Sequence, residues 1–281
     1  GDLGQPGRPI LRDPAPPPAA DLVICESTYG NRDHKPLDET LDELVDVVRD
    51  TLENRGGNVI IPAFAVGRTQ ELLYCFKSLA VEGRLRGLDV FVDSPMATAV
   101  TRITERHFEL YDEEARRLAK VVPADGDGPR IQFLATAAES MSLNDRKGGA
   151  VIVAASGMCE GGRIRHHLRH HLPNARNTVL FTGFQAGGTL GRAIVDGATS
   201  VRIHGDEVPV RARIVTLGGF SAHADQTALL AWLGRLPRKP ARLCLVHGEE
   251  QAGEDFAAAI EARFGWQAER PLRGDSLELP G

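Results

Sequence analysis

Short apolar runs alternate with amphipathic stretches along the chain, and most of the runs end at a turn. Runs typical of buried strands occupy residues 21–26, 58–64, 88–93, 150–155, 178–182 and 243–246. Apolar residues at helical spacing predict helices over 37–54, 69–80, from 94 onward, over 161–172, just after 191 and over 250–264. Strand–helix alternation through residues 58–195 predicts a parallel sheet covered by helices on both faces, and therefore an α/β fold.

Three stretches depart from this alternation. Residues 5–20 are rich in proline and predict a loop, and residues 107–147 are polar and predict only helix and loop, with a glycine–aspartate loop at 124–128. Between 200 and 215 the apolar residues alternate with polar ones, which predicts an antiparallel hairpin turning at Gly205 and Asp206.

The stretch from Leu217 to Glu249 concentrates the candidate chemistry. A glycine turn presents His223 beside Asp225, a predicted helix follows, and the strand at 243–246 ends directly at His247. Open α/β sheets bind ligands at the carboxyl ends of their strands, so both imidazoles are expected at one such edge. Spacing alone leaves two interpretations open: a reaction centre, or two histidines with purely structural hydrogen bonds.

Composition restricts the class of protein. The 281 residues are 42% hydrophobic and 25% charged, as in a soluble globular protein with one large domain or two. No apolar run reaches the roughly 20 residues that span a bilayer, and no signal peptide opens the sequence. The four cysteines show no CxxC spacing, which disfavours a disulfide framework or a thiolate zinc site and favours the cytoplasm. The net charge of −5 argues mildly against a nucleic-acid-binding protein but allows a local basic groove.

Two motifs imitate known sites. In RHHLRHH, histidines fall at i, i+4 spacing, but no glutamate completes an HExxH pattern and Arg165 and Arg169 would repel a cation. We therefore expect a solvated or RNA-facing helix surface there. The glycine loop at 183–191 does not match GxGxxG, which disfavours a nucleotide cofactor. His34 and His107 are interpreted as surface residues, and His204 as a turn residue.

Eight phrases, taken in order, closely resemble the β-CASP branch of the metallo-β-lactamase-fold nucleases. They are GDLG at 1–4, CESTYGNR at 25–32, IPAFAVGRTQELL at 61–73, DSPMA at 93–97, AASGMCEGGR at 154–163, TGFQAGGTLGR at 182–192, GGFSAHAD at 218–225 and LVHGE at 245–249. The resemblance implies a partial metallo-β-lactamase αββα sandwich, formed by residues 1–31 and 216–281. It also implies an inserted β-CASP domain with a parallel sheet at 32–215.

The resemblance also implies roles for particular residues. Asp2 matches the carboxylate that bridges two zinc ions, and His247 matches the last histidine ligand. Glu26 matches the acidic motif beside the metals, and His223 matches the histidine that contacts the scissile phosphate and can act as an acid. Five further residues resemble segments that face the nucleic-acid cleft: Arg68, Ser156, Gly157, Gly187 and Gly188.

This family's main ligand cluster, HxHxDH, does not occur in the sequence. Asp2 and His247 alone are too few for a stable zinc site, so we expect zinc to be poorly bound or absent in this chain by itself. The abrupt start at Gly1 leads us to expect the C-terminal portion of a longer nuclease that carries two zinc ions. A naturally inactive homologue is the alternative.

The sequence thus predicts a zinc-dependent ribonuclease that cleaves endonucleolytically, with Asp2, Glu26 and His223 in catalytic roles. The expected partner is single-stranded RNA in the cleft between the two domains, with no membrane association and with a homodimer as a further candidate assembly. The alternatives are a non-catalytic RNA-binding or scaffold subunit, and a related hydrolase that acts on DNA or on small phosphodiesters.

Overall fold

The computed structural model describes residues 1–122 and 127–277. The predicted loop at 124–128 lies mostly outside this range, as do the last four residues of the predicted 216–281 segment. Contacts divide the chain into two compact units. We call Gly1–His34 with Ser221–Gly281 the terminal unit, and Lys35–Phe220 the central unit. Whether these units are the two domains that the resemblance implies stays a prediction.

The strands of the described residues are short. In chain order they are β1 (Leu22–Glu26), β2 (Val59–Pro62), β3 (Asp89–Val92), β4 (Arg130–Phe133), β5 (Ala150–Ala154), β6 (Thr178–Phe181), β7 (Ser200–Ile203), β8 (Asp206–Pro209), β9 (Arg213–Thr216) and β10 (Arg242–Val246).

The helices follow the predicted periodicity closely. They are α1 (Leu37–Arg49), which continues into a π-helical turn at Asp50–Asn54, α2 (Arg68–Val81), α3 (Pro95–Arg106), α4 (Glu113–Lys120), α5 (Ala137–Ser142), α6 (Ile164–His171), α7 (Leu190–Val195), α8 (Gln226–Leu233) and α9 (Glu250–Phe264). Within the described residues, none of these helices is long and apolar enough to cross a membrane.

The central unit is built on a six-stranded sheet in the order β4-β3-β5-β2-β6-β9, in which every pairing is parallel. Successive residues along each strand point to opposite faces of the sheet and pack against different helices. Ile61 and Val153 face the cluster formed with α1 and α2, whereas Ile60 and Phe181 face the cluster formed with α6 and α7. The predicted parallel sheet with helices on both faces is therefore confirmed.

One sequence prediction about this region is wrong, and another holds only in part. Residues 130–133, expected as helix or loop, form the edge strand β4, whose side chains are mostly exposed and so lack a continuous apolar run. The predicted hairpin does turn at 204–205, but its second strand ends at Pro209. The alternation continues into β9, which instead pairs in parallel with β6, with Ile214 opposite Val179. Local periodicity cannot tell which partner a strand will choose.

In the terminal unit, β1 and β10 form a parallel pair, with Leu22 opposite Arg242 and Glu26 opposite Val246. Helices α8 and α9 cover this pair through a core that includes Leu229, Leu233 and Phe256. The pairing brings the carboxyl ends of two strands, 220 residues apart in sequence, to the same edge. The candidate chemistry lies at that edge.

Candidate metal centre

The edge of the β1–β10 pair is held together by close backbone contacts. The Ser27 amide donates to the Val246 carbonyl at 2.8 Å, and the Ser27 hydroxyl donates to the same oxygen at 3.0 Å. A Cβ at Gly248 would lie 2.5 Å from the Ser27 hydroxyl oxygen and 2.6 Å from the Ser27 carbonyl oxygen. Glycine is required there because no side chain fits between the two loops, and this approach fixes the position of His247.

Glu26 and His223 form a hydrogen-bonded pair at this edge. Nδ1 of His223 lies 2.6 Å from Oε2 of Glu26, whose side chain is fully buried. The other carboxylate oxygen, Oε1, accepts from the amides of Leu3 at 2.7 Å, Ala224 at 3.4 Å and Gly4 at 3.5 Å. With both oxygens engaged, Glu26 orients the histidine and is poorly placed to bind a metal directly.

The hydrogen bond between Glu26 and His223 favours the charged form of each side chain. Burial alone would raise the pKa of Glu26, but the hydrogen bonds from His223 and from the Leu3 amide leave it below its ordinary value. The hydrogen bond to Glu26 raises the pKa of His223, against an opposing effect of burial. A raised pKa favours the protonated ring, which is the form that a general acid needs.

Asp2 and His247 lie beside this pair. The Asp2 carboxylate oxygen Oδ1 is 3.5 Å from Nδ1 of His247, and the rings of His223 and His247 lie 5.0 Å apart between centroids. One ligand atom from each of Asp2, Glu26, His223 and His247 falls within 4.8 Å of all the others. The structure therefore brings together the four residues that the sequence singled out for this site, whereas their individual roles stay predictions.

The donor set fits part of a zinc site. Asp2 and His247 are exposed and offer a carboxylate oxygen and an imidazole nitrogen, both of which bind Zn²⁺. A catalytic zinc takes three protein ligands, and two residues fall short of that number. These residues can accordingly contribute to a metal centre whose remaining ligands lie outside this group.

Sequence reasoning missed several residues that position the site. His34, predicted to lie at the surface, is half-buried, packs edge-on against Tyr29 and donates from Nε2 to the carbonyl of His223 at 2.8 Å. Gln5 and Asp225 exchange two hydrogen bonds, of 2.8 and 2.9 Å, and Asp225 also caps α8. A histidine in a polar loop gives no signal that distinguishes such a contact from exposure to solvent.

The residues predicted to contact RNA follow the carboxyl ends of the neighbouring strands β5, β2 and β6 in the central unit. Arg68 is the first residue of α2, and the other four lie in loops. Gly187 and Gly188 are exposed, with open space around both, and Gly188 has a φ of +81°. The backbone of Gly157 packs against the Phe64 ring, and the hydroxyl of Ser156 bonds within its own loop. The guanidinium of Arg68 is buried against Glu71.

The RHHLRHH helix is not the uniformly solvated surface that we expected. His167 and His171 are buried, whereas His166 and His170 are exposed. Nε2 of His167 lies 2.6 Å from a carboxylate oxygen of Asp93, and that fully buried carboxylate also accepts from Arg163 and Ser140. The network links His167 of α6 with Ser140 of α5 through Asp93, which directly follows β3, and it explains why His167 faces the interior.

Comparison with known proteins supports the same family. Residues 69–194 match the sequence model of the Beta-Casp domain, and residues 207–271 match the Zn-dependent metallo-hydrolase RNA specificity domain. The chain is 44% identical over 254 residues to Ribonuclease TTHA0252 of Thermus thermophilus, covering 89% of this chain and 57% of the relative. It is 32% identical over 277 residues to the transcription termination factor FttA of Pyrococcus abyssi, covering 93% of this chain and 41% of the relative.

An RNase J-like protein of Methanocaldococcus jannaschii is 32% identical over 268 residues, covering 92% of this chain and 59% of the relative. The chain thus spans about half the length of the curated relatives that it matches. The Beta-Casp match precedes the metallo-hydrolase match along the sequence, and the two ranges contain or overlap six of the eight motifs. The chain belongs to the β-CASP branch of the metallo-β-lactamase-fold proteins.

Proposed function

We propose that this chain contributes the proton donor and part of the metal-ligand set to a zinc-dependent ribonuclease. The observation that carries the proposal is the Glu26–His223 pair beside the exposed donors of Asp2 and His247, all within one edge of the terminal unit. In this proposal the terminal unit is the C-terminal portion of the metallo-β-lactamase domain, and the central unit is the β-CASP domain.

Each residue then has a distinct task. Asp2 and His247 hold zinc, which when bound activates water and neutralises charge on the phosphate. His223 donates a proton to the leaving oxygen, because its hydrogen bond to Glu26 favours the protonated ring. Glu26 fixes the orientation of that ring through Nδ1, which leaves Nε2 as the atom that can deliver the proton.

RNA is the proposed substrate because the second family model is an RNA specificity domain and because relatives are named ribonuclease and RNase J-like protein. The open glycines at 187–188 allow the backbone to approach phosphates closely. We propose endonucleolytic cleavage of a single strand.

Parallel cleavage assays test the proposal. The product of the complete reading frame that encodes these residues is incubated with single-stranded RNA, single-stranded DNA and a chromogenic phosphodiester, with zinc and after chelation. We expect cleavage of RNA that requires zinc. Zinc-independent RNA binding without cleavage would instead indicate a binding subunit, and preferential cleavage of DNA or of the small diester would overturn the assignment of RNA as substrate.

A further inference from the structure

We propose that Thr28 is a positioning residue that sets the tautomer of the neutral His247 ring, so that Nδ1 carries the hydrogen and Nε2 is free to bind a metal. This inference rests on the proposed function only where it assigns the metal. The contact between Thr28 and His247 is a property of the chain itself.

The hydroxyl of Thr28 makes two contacts with one residue. Its Oγ1 lies 2.6 Å from the carbonyl oxygen of His247 and 3.1 Å from Nδ1 of the same histidine. A hydroxyl has a single proton to donate. The carbonyl oxygen can only accept, and at 2.6 Å it must receive that proton, because two lone pairs at this distance would repel each other.

The second contact is then determined by the first. Because the Thr28 hydroxyl donates its hydrogen to the carbonyl oxygen, it presents a lone pair toward Nδ1. That contact is favourable only when Nδ1 carries a hydrogen. The neutral His247 ring therefore carries its hydrogen on Nδ1 and a free electron pair on Nε2. A histidine ligand usually donates its other ring N–H to such a partner, which sets its orientation and increases its basicity.

The other acceptor within reach is a weaker candidate. The Asp2 carboxylate oxygen is 3.5 Å from Nδ1, beyond the ordinary range of an N–H···O hydrogen bond. Its side chain is also 60% exposed, whereas Thr28 is half-buried. Thr28 thus holds the ring by the shorter contact.

The same hydroxyl stabilises an unusual backbone conformation. His247 has a φ of +53°, in the left-handed region that residues other than glycine rarely adopt. Thr28 is anchored in turn, because Ser27 bonds to Val246 and a Cβ at Gly30 would collide with Phe256 of α9. The loop that carries Thr28 is therefore rigid on both sides, and the contact can hold the imidazole before any metal binds.

The tautomer of His247 can be read directly in the metal-free chain by long-range ¹H–¹⁵N correlation, at a pH about two units above the ordinary histidine pKa of roughly 6.5. An unconstrained imidazole in water favours the hydrogen on Nε2. We expect the reverse for His247 in the wild-type chain, retention of the reversed state in Thr28→Ser, and reversion to the Nε2–H form in Thr28→Val. The His247→Ala variant assigns the signals.

Further readouts separate the alternatives. The signals of the Glu26–His223 pair in the same spectra report whether each variant keeps its fold. A wild-type His247 that carries its hydrogen on Nε2 overturns the inference. A folded Thr28→Val variant in which His247 keeps the wild-type tautomer also overturns the inference. If the tautomer of His247 changes in Asp2→Asn but not in Thr28→Val, Asp2 and not Thr28 holds the ring. Because the measurement needs neither zinc nor RNA, a ribonuclease assay that fails leaves this result standing, and the converse also holds.

Discussion

The Nδ1 atom of His223 lies 2.6 Å from Oε2 of Glu26, although 197 positions separate the two residues in the sequence. Glu26 ends a buried strand, and His223 lies in the turn before α8. Because the carboxylate is fully buried and both of its oxygens are engaged, the pair is a fixed unit whose charge depends on both members.

Replacing Glu26 by glutamine should lower the pKa of His223. The hydrogen bond to the carboxylate is the main cause of the raised pKa, so removing the charge lets burial dominate. A raised histidine pKa contributes stability that is present below the unfolded pKa and is lost as the pH rises through the folded value. In Glu26→Gln that contribution disappears, and His223 loses its proton at lower pH. An NMR titration of the metal-free chain measures the midpoint. Glu249→Gln, at an exposed acid, is the control, and an unshifted His223 midpoint in Glu26→Gln would contradict the pairing.

His223 and His247 should respond differently to substitution in the product of the complete reading frame. We expect His247→Ala to lose both zinc and activity, because this residue is proposed as a ligand. His223→Ala should lower the cleavage rate by about 10²–10⁴-fold, the usual contribution of general acid catalysis, and keep most of the zinc. Metal analysis and single-turnover cleavage measure the two effects. Equal zinc content in wild type and His247→Ala would exclude the ligand role.

Removing the buried carboxylate of Asp93 should destabilise the central unit strongly. Its oxygens accept from Arg163 at 2.6 Å and His167 at 2.6 Å, so Asp93→Ala removes the buried anion beside Arg163 and takes the acceptor from the fully buried His167 ring. We expect a loss of about 3–5 kcal/mol in the free energy of unfolding, measured by urea denaturation. Asp196→Ala removes an exposed partner of Arg192 and should cost less than about 1 kcal/mol. Similar losses in both variants would show that the network contributes little.

Acid should destabilise the chain through His171. Burial lowers its pKa to about 4, and neighbouring His167 and His170 act in the same direction. The unfolded chain binds this proton first as the pH falls below about 6.5, so stability decreases between roughly pH 6.5 and 4, by on the order of 3 kcal/mol.

The variant His171→Gln should show a smaller loss of unfolding free energy over that range than the wild-type chain. His107→Gln, at an exposed histidine, should leave the pH dependence unchanged. Denaturation curves at several pH values provide the measurement, and identical pH profiles for wild type and His171→Gln would refute the assignment.

Gly248→Ala should disturb the candidate metal centre, because Gly248 directly follows His247. Its added Cβ would lie 2.5 Å from the hydroxyl oxygen of Ser27, in a place where backbone atoms cannot easily yield. A cost of about 1–3 kcal/mol is expected, together with changed chemical shifts for His247. Gly187→Ala is the matched control, because nothing lies within 4 Å of its added Cβ. Equal melting temperatures for the two variants would contradict this packing.

Parts of the fold that depend on local pattern were predictable. The periodicity of Leu44, Val45 and Val48 predicts α1, and continuous apolar runs predict β2 and β5 as buried parallel strands. The edge strand β4 was missed because only one of its four residues is even partly buried. The pairing of β9 with β6 was missed because a parallel partner is a long-range choice that leaves no local signal.

The sequence by itself determined the alternation of elements, the family resemblance and the four residues of the candidate centre, because each of these depends on residue type and order. Only the tertiary structure showed that both oxygens of Glu26 make hydrogen bonds, that His34 supports the backbone of His223, and that Thr28 contacts His247 at two atoms. Those relationships depend on which atoms face each other across a parallel strand pair, and they are set by register and by the close approach at Gly248.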